Sequence, residues 1–216
     1  MCSNYRPVTR TDHLLSFFGV ERDRDEPSPE DIWPLGMAPF IRLREDGSGN
    51  KVIEDGTFGL LPRFAKEVAY GRKTYNARAE TVDKKPSFRD SWARGRRCIV
   101  PAEHVFEQCY ESGKAERWLV RKNFGPMGIA GTYSQWRDAN GKAQWTFAML
   151  TVNADGHPVY QRFPPPGEEK RMIVILDPAD YDRWLQCSPN EARAFFKQWQ
   201  GPLETFPAPR RGTATR

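Results

Sequence analysis

The segment GIAGTYSQWRDANGKAQWTFAMLTV, residues 128–152, contains two strong β-strand patterns. Residues 128–136 and residues 144–152 are rich in β-branched and aromatic side chains, and a short polar stretch separates them. Such a pattern predicts two neighbouring strands. RWLVRK, residues 117–122, predicts another strand shortly before them. This part of the chain therefore indicates a β-sheet built from consecutive strands.

Similar patterns lie on both sides of this segment. Further strands are predicted at residues 39–44, at 51–59 after an EDGSGN turn, as two short strands within 96–110 around Pro101, and at 172–178. Short helices are predicted at residues 11–19, 86–95, 178–186 and 190–199. Short sequential strands with helices near the chain ends indicate an α+β fold with a mainly antiparallel, barrel-like β-sheet and peripheral helices. We expect one domain over residues 1–205 and a loose Pro/Arg-rich tail over residues 206–216.

The composition is that of a folded protein without a membrane span. The 216 residues are enough for one large domain or two small ones. Aromatic residues make up 12% of the chain, a load that disordered chains lack. No apolar run approaches the roughly 20 residues that a transmembrane helix needs. The 17 Gly and 18 Pro residues indicate many turns and argue against a helical bundle.

The charge balance and the cysteines narrow the class of function further. The 33 Lys and Arg residues exceed the 28 Asp and Glu residues, and the net charge of +5 is compatible with a polyanionic partner but does not require one. The N-terminal region contains no apolar signal segment, so we expect a cytoplasmic location. Cys98, Cys109 and Cys187 form no CxxC pair or Cys/His cluster. They predict free thiols in or near the core, and we expect no metal or other cofactor.

Cys2 differs chemically from the other cysteines because of its position. Removal of Met1, which is expected before a small residue, leaves Cys2 with an α-amine and a thiol on adjacent carbons. Their ordinary pKa values, about 8 and about 8.5, make both groups reactive near neutral pH. Such an aminothiol condenses with an aldehyde to an imine, and the thiol then closes a five-membered thiazolidine ring. An amidohydrolase nucleophile and chance are the alternative explanations of a cysteine at this position.

Five stretches carry a family resemblance, and together they span most of the chain. They are MC at residues 1–2, TYNARAETV at 74–82, PSFRDSWARGRRCIVPAEHVFEQ at 86–108, FAMLTVNADGH at 147–157 and EKRMIVIL at 169–176. In this order they resemble the SOS-response-associated peptidase (SRAP) family. The resemblance implies a nucleoid-associated protein of the DNA damage response that binds single-stranded DNA containing abasic sites. It also implies that the mature N-terminal cysteine captures the aldehyde of the lesion and shields it as a thiazolidine crosslink.

The resemblance assigns the chemistry to three residues. Cys2 corresponds to the crosslinking nucleophile, Asn76 to the residue that holds this cysteine in place, and Glu107 to the general acid and base. A carboxyl group whose pKa is raised by burial can both accept and release a proton, and a neutral amide can orient a reactive group without titrating. From the residues alone, Asn76 could instead be a turn residue, and Glu107 could form a buried ion pair with an arginine.

Four further residues are candidates for DNA binding. Arg78 and Arg171 match family residues that grip phosphates, and Arg6 can replace a phosphate contact that many members make closer to the cysteine. Phe64 falls where the family usually has an aromatic wedge that stacks on a base. The alternatives are a core position for Phe64 and a strand-face ion pair between Arg78 and Glu80.

Two positions depart from the family pattern, and one is Asn4-Tyr5, where many members carry an Arg-aromatic pair after the cysteine. The family uses a histidine in the loop before the last central strand, and this chain has Pro164 there, or Glu169 in a different alignment. The three histidines, His13, His104 and His157, lie in a predicted helix, a strand and a turn, and none matches that position. We therefore predict that the protein forms the adduct but that it reverses the adduct, or nicks the strand by β-elimination, poorly.

Two other functions remain open. Cys2, Asn76 and Glu107 could serve the thiol autopeptidase or protease chemistry in the family's name, which would make the protein a hydrolase. A chain without the family histidine could instead be a non-catalytic module that binds single-stranded DNA. We expect a monomer, because the sequence shows no heptad repeat or exposed apolar face.

Overall fold

The computed structural model describes residues 2–23, 31–163, 165 and 167–210. Within these residues one mixed sheet contains eleven strands: β1 (Asn4–Pro7), β2 (Met37–Leu43), β3 (Lys51–Phe58), β4 (Asn76–Arg78), β5 (Arg97–Cys109), β6 (Glu116–Lys122), β7 (Met127–Arg137), β8 (Ala143–Asn153), β9 (Arg171–Ile173), β10 (Ile175–Leu176) and β11 (Leu203–Pro207). The α-helices are α1 (Thr11–Phe18), α2 (Arg89–Ala93) and α3 (Tyr181–Gln186). Short 3₁₀ helices lie at Val68–Lys73, Ala79–Thr81, Tyr160–Arg162, Pro178–Asp180 and Glu191–Phe195.

The hairpin of β7 and β8 forms where the sequence predicts two strong strands. Residues 131–137 pair antiparallel with residues 143–149. In the turn between them, Asp138 Oδ1 accepts hydrogen bonds of 2.9 Å from the backbone N–H groups of Asn140 and Lys142. The polar stretch between the two strands is therefore a turn closed by an aspartate side chain.

Five strands close into a barrel. β7 pairs with β8 and β5, β5 also pairs with β2, β2 pairs with β3, and β3 returns to β8. Gly131 allows the strands to approach closely, because a Cβ atom there would lie 2.8 Å from both Cys98 Sγ and Ala148 O. The structure confirms the predicted α+β fold with a barrel-like sheet. The sheet is mixed, since β3 and β4 both run parallel to β8.

Aromatic rings and a tryptophan hydrogen bond hold this architecture together. The fully buried rings of Phe40 and Phe58 each pack against Phe147, with ring centroids 5.4 and 5.6 Å apart. Trp184 of α3 is also fully buried, and its Nε1 donates a hydrogen bond of 2.8 Å to the carbonyl oxygen of Cys98 in β5. Among the described residues, no helix combines the length and the apolar character needed to cross a membrane.

Several elements differ from the predicted ones. The two short strands predicted around Pro101 are one strand, β5. Pro101 lies where one edge of β5 passes from β2, at Ile99, to β1, at Ala102, so its missing N–H interrupts no continuous ladder. β1, β4 and β11 were not predicted, because strands of three to five residues are too short to show a period. The helix predicted at 190–199 is the 3₁₀ helix Glu191–Phe195.

The C-terminal segment is more ordered than its composition suggests. The sequence predicts a loose tail over residues 206–216, but Phe206 and Pro207 continue β11 and pair with β6. The prediction is wrong for these two residues. Their Pro/Arg-rich sequence shows no strand pattern, but the edge of β6 provides partners for their backbone. Residues 211–216 lie outside the described residues.

β8 brings together the strands that carry the candidate site. β4 runs parallel to β8 and places Arg78 opposite Thr151. β9, which begins at Arg171, pairs antiparallel with β8 on its other edge. β1 lies on β5 with Asn4 opposite Phe106, so the start of the chain reaches the same region. Three short strands therefore position the candidate site. Two of them, β1 and β4, are not predicted from the sequence, whereas β9 lies in the strand predicted at residues 172–178.

Candidate active site

Asn76 holds the backbone of Cys2. The side-chain Nδ2 of Asn76, the first residue of β4, donates a hydrogen bond of 2.7 Å to the carbonyl oxygen of Cys2. Cys2 is buried, and its thiol donates a hydrogen bond of 3.6 Å to the carbonyl oxygen of Asn4. Asn76 thus lies in a strand and not in a turn. The Asn76 amide thus bonds to the main chain of Cys2 and not to its sulfur.

Glu107 approaches the same region from β5. Its side chain is buried, and burial raises its pKa to about 7. Burial and the charge of Glu107 together raise the pKa of the Cys2 thiol above its ordinary value. A carboxyl group that is about half ionised at neutral pH can accept a proton in one step and return it in another. A pKa near neutral is compatible with the general acid and base role that the sequence predicts for Glu107.

The charges of Cys2 and Glu107 act on the hydroxyl groups of two buried or half-buried tyrosines. Burial raises the pKa of Tyr75, which precedes β4, and of Tyr160, and the charges of Cys2 and Glu107 raise both further. Tyr160 is fully buried, and its hydroxyl group has no hydrogen-bond partner among the described residues. Sequence reasoning missed both tyrosines, because a tyrosine in a turn-rich segment looks like any other core residue. The GHPVYQRF run around Tyr160 contains no motif that signals a site.

Two arginines share acidic partners beside this group. Arg171 is buried, and it donates hydrogen bonds of 2.7 Å to Glu169, 2.8 Å to Glu80 and 2.7 Å to the carbonyl oxygen of Thr151. Arg78 Nη1 lies 2.9 Å from the second carboxylate oxygen of Glu169. Glu169 thus bridges the two arginines. The ion pair suggested between Arg78 and Glu80 does not form. Arg78 pairs with Glu169 instead, and Glu80 pairs with Arg171.

An open cavity of about 410 Å³ is lined by Glu107 and by these two arginines, whereas Cys2 and Asn76 lie behind its lining residues. Its aromatic lining residues are Trp33, Phe106, Tyr110 and Phe163. Its charged lining residues are Arg78, Glu107, Glu168, Glu169 and Arg171. Guanidinium groups bind phosphate oxygens, and aromatic rings stack on unpaired bases. The cavity therefore offers suitable contacts for a single nucleotide of an unpaired strand.

Two predicted DNA-binding residues lie outside the lining of this cavity. Phe64 is 56% exposed, and its ring meets Tyr70 edge to face with centroids 5.7 Å apart. It is therefore a surface aromatic residue and not part of the core. Arg6 lies on β1 opposite His104 of β5. Both remain candidates for contacts with DNA beyond the cavity.

His157 is a structural residue of the loop after β8. It is buried, and its Nε2 lies 2.9 Å from the carbonyl oxygen of Trp199. Its Nδ1 accepts hydrogen bonds of 3.1 and 3.2 Å from the backbone N–H groups of Val159 and Tyr160. Both ring nitrogens are thus engaged, so His157 does not replace the family histidine. Pro164, which occupies that position in the sequence, lies outside the described residues.

The other cysteines are consistent with the predicted thiols. Cys98 and Cys109 are buried, Cys187 is half-buried, and all are free. In the part of the chain that the structure describes, His, Cys, Asp and Glu side chains form no group of three or more that could hold a metal ion.

Fold and site together define a closed β-barrel protein with a candidate nucleophile at its N-terminus. The chain belongs to the SOS response associated peptidase (SRAP) family, whose sequence profile matches residues 1–211. It is 28% identical over 195 residues to the abasic site processing protein YoqW of Bacillus subtilis, and the alignment covers 86% of this chain and 80% of YoqW. It is 20% identical over 157 residues to the abasic site processing protein HMCES of Rattus norvegicus, covering 59% of this chain and 44% of HMCES. The resemblance read from the sequence is confirmed.

Solved structures share the fold. A crystal structure of a Bordetella bronchiseptica protein matches with a TM-score of 0.86 and 31% identity, over 96% of this chain and 99% of the other. A Bacteroides thetaiotaomicron protein matches with a TM-score of 0.80 and 22% identity, over 97% of this chain and 93% of the other. The second likeness concerns the fold alone.

Proposed function

We propose that this protein is an abasic-site sensor that binds single-stranded DNA and crosslinks to the lesion through Cys2 after removal of Met1. The observation that carries the proposal is the 2.7 Å hydrogen bond from Asn76 to the Cys2 carbonyl, beside the buried carboxyl group of Glu107. Relatives named abasic site processing proteins support the choice of lesion. Because the reacting amine and thiol belong to one residue, a single backbone contact can position both.

The reaction joins the aldehyde carbon of the ring-opened sugar to both reactive groups of Cys2. The α-amine adds to this carbon and forms a carbinolamine. Protonated Glu107 donates a proton to the hydroxyl group, which leaves as water, and an iminium ion forms. The sulfur then adds to the iminium carbon while the thiol proton passes to the Glu107 carboxylate, which closes the thiazolidine ring. The net reaction releases one water molecule and returns Glu107 to its starting state.

The cavity supplies contacts for the DNA strand around the lesion. Arg78 and Arg171 would bind phosphate oxygens, for which a guanidinium offers a planar fork. Glu169 occupies both guanidinium groups, so DNA has to displace its carboxylate from at least one of them. Phe64, exposed on the surface, would stack on a neighbouring base, and Arg6 would contact a phosphate further along the strand. None of these contacts reads base identity, as suits a lesion that occurs in any sequence.

A thiol peptidase is less well supported by the geometry. Peptidase cysteines react as thiolates, and their surroundings lower the thiol pKa. Burial and the charge of Glu107 act in the opposite direction on Cys2. In the proposed ring closure the sulfur loses its proton only as it attacks, so a raised thiol pKa is compatible with crosslinking. Strand nicking by lyase chemistry and reversal of the adduct remain predicted to be slow.

A denaturing gel tests the proposal. The purified full-length chain is mixed with labelled single strands that are intact or contain one abasic site. We expect a covalent band with the abasic strand only, lost in Cys2→Ser and retained in Cys109→Ser, a matched change at a buried cysteine. A band that survives Cys2→Ser would overturn the proposal. Peptide turnover without a band would favour the peptidase, and salt-sensitive binding without a band would favour the non-catalytic module.

Two further measurements complete the test. Mass spectrometry of the purified chain should show that Met1 is absent, since a retained methionine would block the amine. Light scattering and imaging of a tagged chain test our proposal that a monomer acts at the nucleoid in the cytoplasm.

A further inference from the structure

Trp33 places an aromatic ring in the wall of the cavity, close to the start of the chain. It lines the cavity together with Ser3 and Asn4, the two residues that follow Cys2. The side chain is half-buried, so part of the ring remains accessible from the cavity. Phe64, the base-stacking residue predicted from the sequence, lies outside this lining. A half-buried indole among charged side chains offers a flat apolar surface that an unpaired base can cover.

Hydrogen bonds join the backbone before Trp33 to β1. The backbone N–H of Ile32 donates a hydrogen bond of 2.8 Å to the carbonyl oxygen of Tyr5, and the N–H of Tyr5 donates one of 3.2 Å to the carbonyl oxygen of Ile32. The side-chain Nδ2 of Asn4 donates a further hydrogen bond of 3.2 Å to the same Ile32 oxygen. Trp33 is therefore attached to the strand that begins two residues after Cys2.

The turn after Trp33 is fixed as well. The N–H of Gly36 donates a hydrogen bond of 2.8 Å to the carbonyl oxygen of Trp33, and the N–H of Leu35 donates one of 2.8 Å to that of Phe58. Leu35 has a φ of +78°, in the left-handed region that leucine rarely adopts. Gly71 leaves space for its side chain, because a Cβ atom at Gly71 would lie 2.8 Å from Leu35 Cδ2. A ring on so constrained a backbone loses little conformational freedom when it binds a ligand.

Arg210 covers one face of the Trp33 ring. Its guanidinium carbon lies 4.5 Å from the ring centroid, and the arginine side chain is itself exposed. The segment after β11 carries Arg210 to this place, since the N–H of Ala208 donates a hydrogen bond of 2.8 Å to the carbonyl oxygen of Arg117 in β6. A guanidinium group is planar and stacks on aromatic faces. An exposed contact of this kind is weaker than the stacking of a base on the same ring, so a base can displace it.

We propose that Trp33 is a base-stacking residue. An unpaired base directly next to the abasic nucleotide stacks on the ring face that Arg210 covers in the free protein, and the Arg210 guanidinium moves from the ring toward the DNA backbone. The inference rests on the proposed function, which places the strand in this cavity. The abasic sugar that reaches Cys2 carries no base, so the stacked base belongs to a neighbouring nucleotide. Its phosphates are within the same cavity as the guanidinium groups of Arg78 and Arg171.

A fluorescent base tests the proposal in the full-length chain. Single strands carry one tetrahydrofuran residue, an abasic analogue without an aldehyde, and one 2-aminopurine directly on its 5′ or its 3′ side. Stacking on an indole quenches the fluorescence of 2-aminopurine. We expect the wild type to quench at one of the two positions and Trp33→Leu to lose this quenching. Anisotropy with the same strands should show binding about tenfold weaker in Trp33→Leu.

Trp145→Leu is the matched control. Trp145 is also half-buried, and the guanidinium carbon of Arg42 lies 4.5 Å from its ring centroid. It belongs to β8, opposite Gln135 of β7, and does not line the cavity. Trp145→Leu should therefore quench and bind like the wild type. Trp33→Phe keeps an aromatic ring at the site, so its binding should be weaker by only about two- to threefold.

Several outcomes would overturn the proposal. They are wild-type quenching and affinity in Trp33→Leu, an equal loss in Trp145→Leu, and quenching that disappears in Arg210→Ala, which would mean that the arginine and not the ring holds the base. If Trp33→Leu fails to fold, Trp33→Phe replaces it, and unchanged quenching and affinity there would count against the stacking role. The analogue cannot crosslink, so a wild type that binds it but forms no covalent band with a true abasic strand would refute the proposed function and still leave Trp33 tested. A wild type that does not bind the strands at all would refute both.

Discussion

The carboxylate of Glu169 lies 2.7 Å from Nη1 of Arg171, within the cavity that we propose for DNA. Its other oxygen lies 2.9 Å from Arg78, so one acidic side chain engages both cationic groups. A carboxylate held by two guanidinium groups occupies the place that a phosphate would take. In the free protein, the positive charge of this part of the cavity is therefore partly neutralised from within the chain.

Glu169→Gln should strengthen binding of intact single-stranded DNA, by about three- to tenfold at low salt. The amide keeps the size of the side chain but removes the charge that competes with phosphate. Fluorescence anisotropy with a labelled oligonucleotide measures the change. Glu168→Gln is the control, since it makes the same charge change one residue away. Equal gains in the two variants would show that net charge, and not the bridge, controls binding.

Substitution of Arg78 and substitution of Arg171 should affect the stability of the protein differently. Arg78 is exposed, so Arg78→Ala should weaken DNA binding and reduce the salt dependence by about one phosphate contact with little change in the midpoint of unfolding. Arg171 is buried and bonded to Thr151, Glu80 and Glu169, so Arg171→Ala should also lower the free energy of unfolding by about 1–3 kcal/mol. Urea unfolding and anisotropy on both variants check this. Equal loss of stability in the two would contradict it.

The sequence predicts the barrel better than it predicts the strands that build the site. β7 and β8 are long and have a clear β composition, so their pattern is visible from the residues alone. The strand predicted at residues 172–178 forms as two short strands, β9 and β10. β1 and β4 have only four and three residues, and they form strands because β5 and β8 offer free edges. Such strands depend on contacts between distant parts of the chain, which no local pattern encodes.

The candidate site shows the same division. Asn76 and Glu107 are recognised from the family resemblance, and no rule of periodicity or composition selects them. Tyr160 and the bridging position of Glu169 emerge only in three dimensions, because they come from a turn-rich loop whose conformation no simple pattern sets. For Phe64 the sequence allows two interpretations, a core residue or a surface residue that stacks on a base. The exposure of its side chain in the structure excludes the core position.

Asn76→Asp should slow crosslinking by at least about tenfold without weakening the binding of intact DNA. The change removes the donor to the Cys2 carbonyl, 2.7 Å away, and places a negative charge against that oxygen. The rate of band formation on a denaturing gel and anisotropy with an intact strand separate the two effects. Asn50→Asp in the exposed hairpin turn is the control and should crosslink at the wild-type rate. A wild-type rate in Asn76→Asp would remove the positioning role from this residue.

Glu107 should make the protein less stable as the pH rises. Its pKa is raised by burial to about 7 in the folded chain, while an unfolded glutamate titrates near pH 4.3, so the folded state binds the extra proton between these values. Stability from this group is therefore complete below about pH 4 and is lost as the pH passes through about 7. Glu107→Gln, which cannot ionise, should be more stable than wild type above neutral pH by about 3–4 kcal/mol, and this gain should vanish near pH 4.

Urea unfolding at about pH 4 and about pH 8 measures this difference, with Glu116→Gln as a control at an exposed glutamate of β6. The control should follow the pH dependence of wild type. Glu107→Gln should also lose crosslinking activity while it gains stability at high pH, because the same burial that raises the pKa for proton transfer destabilises the ionised fold. A variant that loses activity and shows the wild-type pH dependence of unfolding would mean that Glu107 is ionised like an exposed carboxylate, and it could then not donate the proton that the departing hydroxyl group needs.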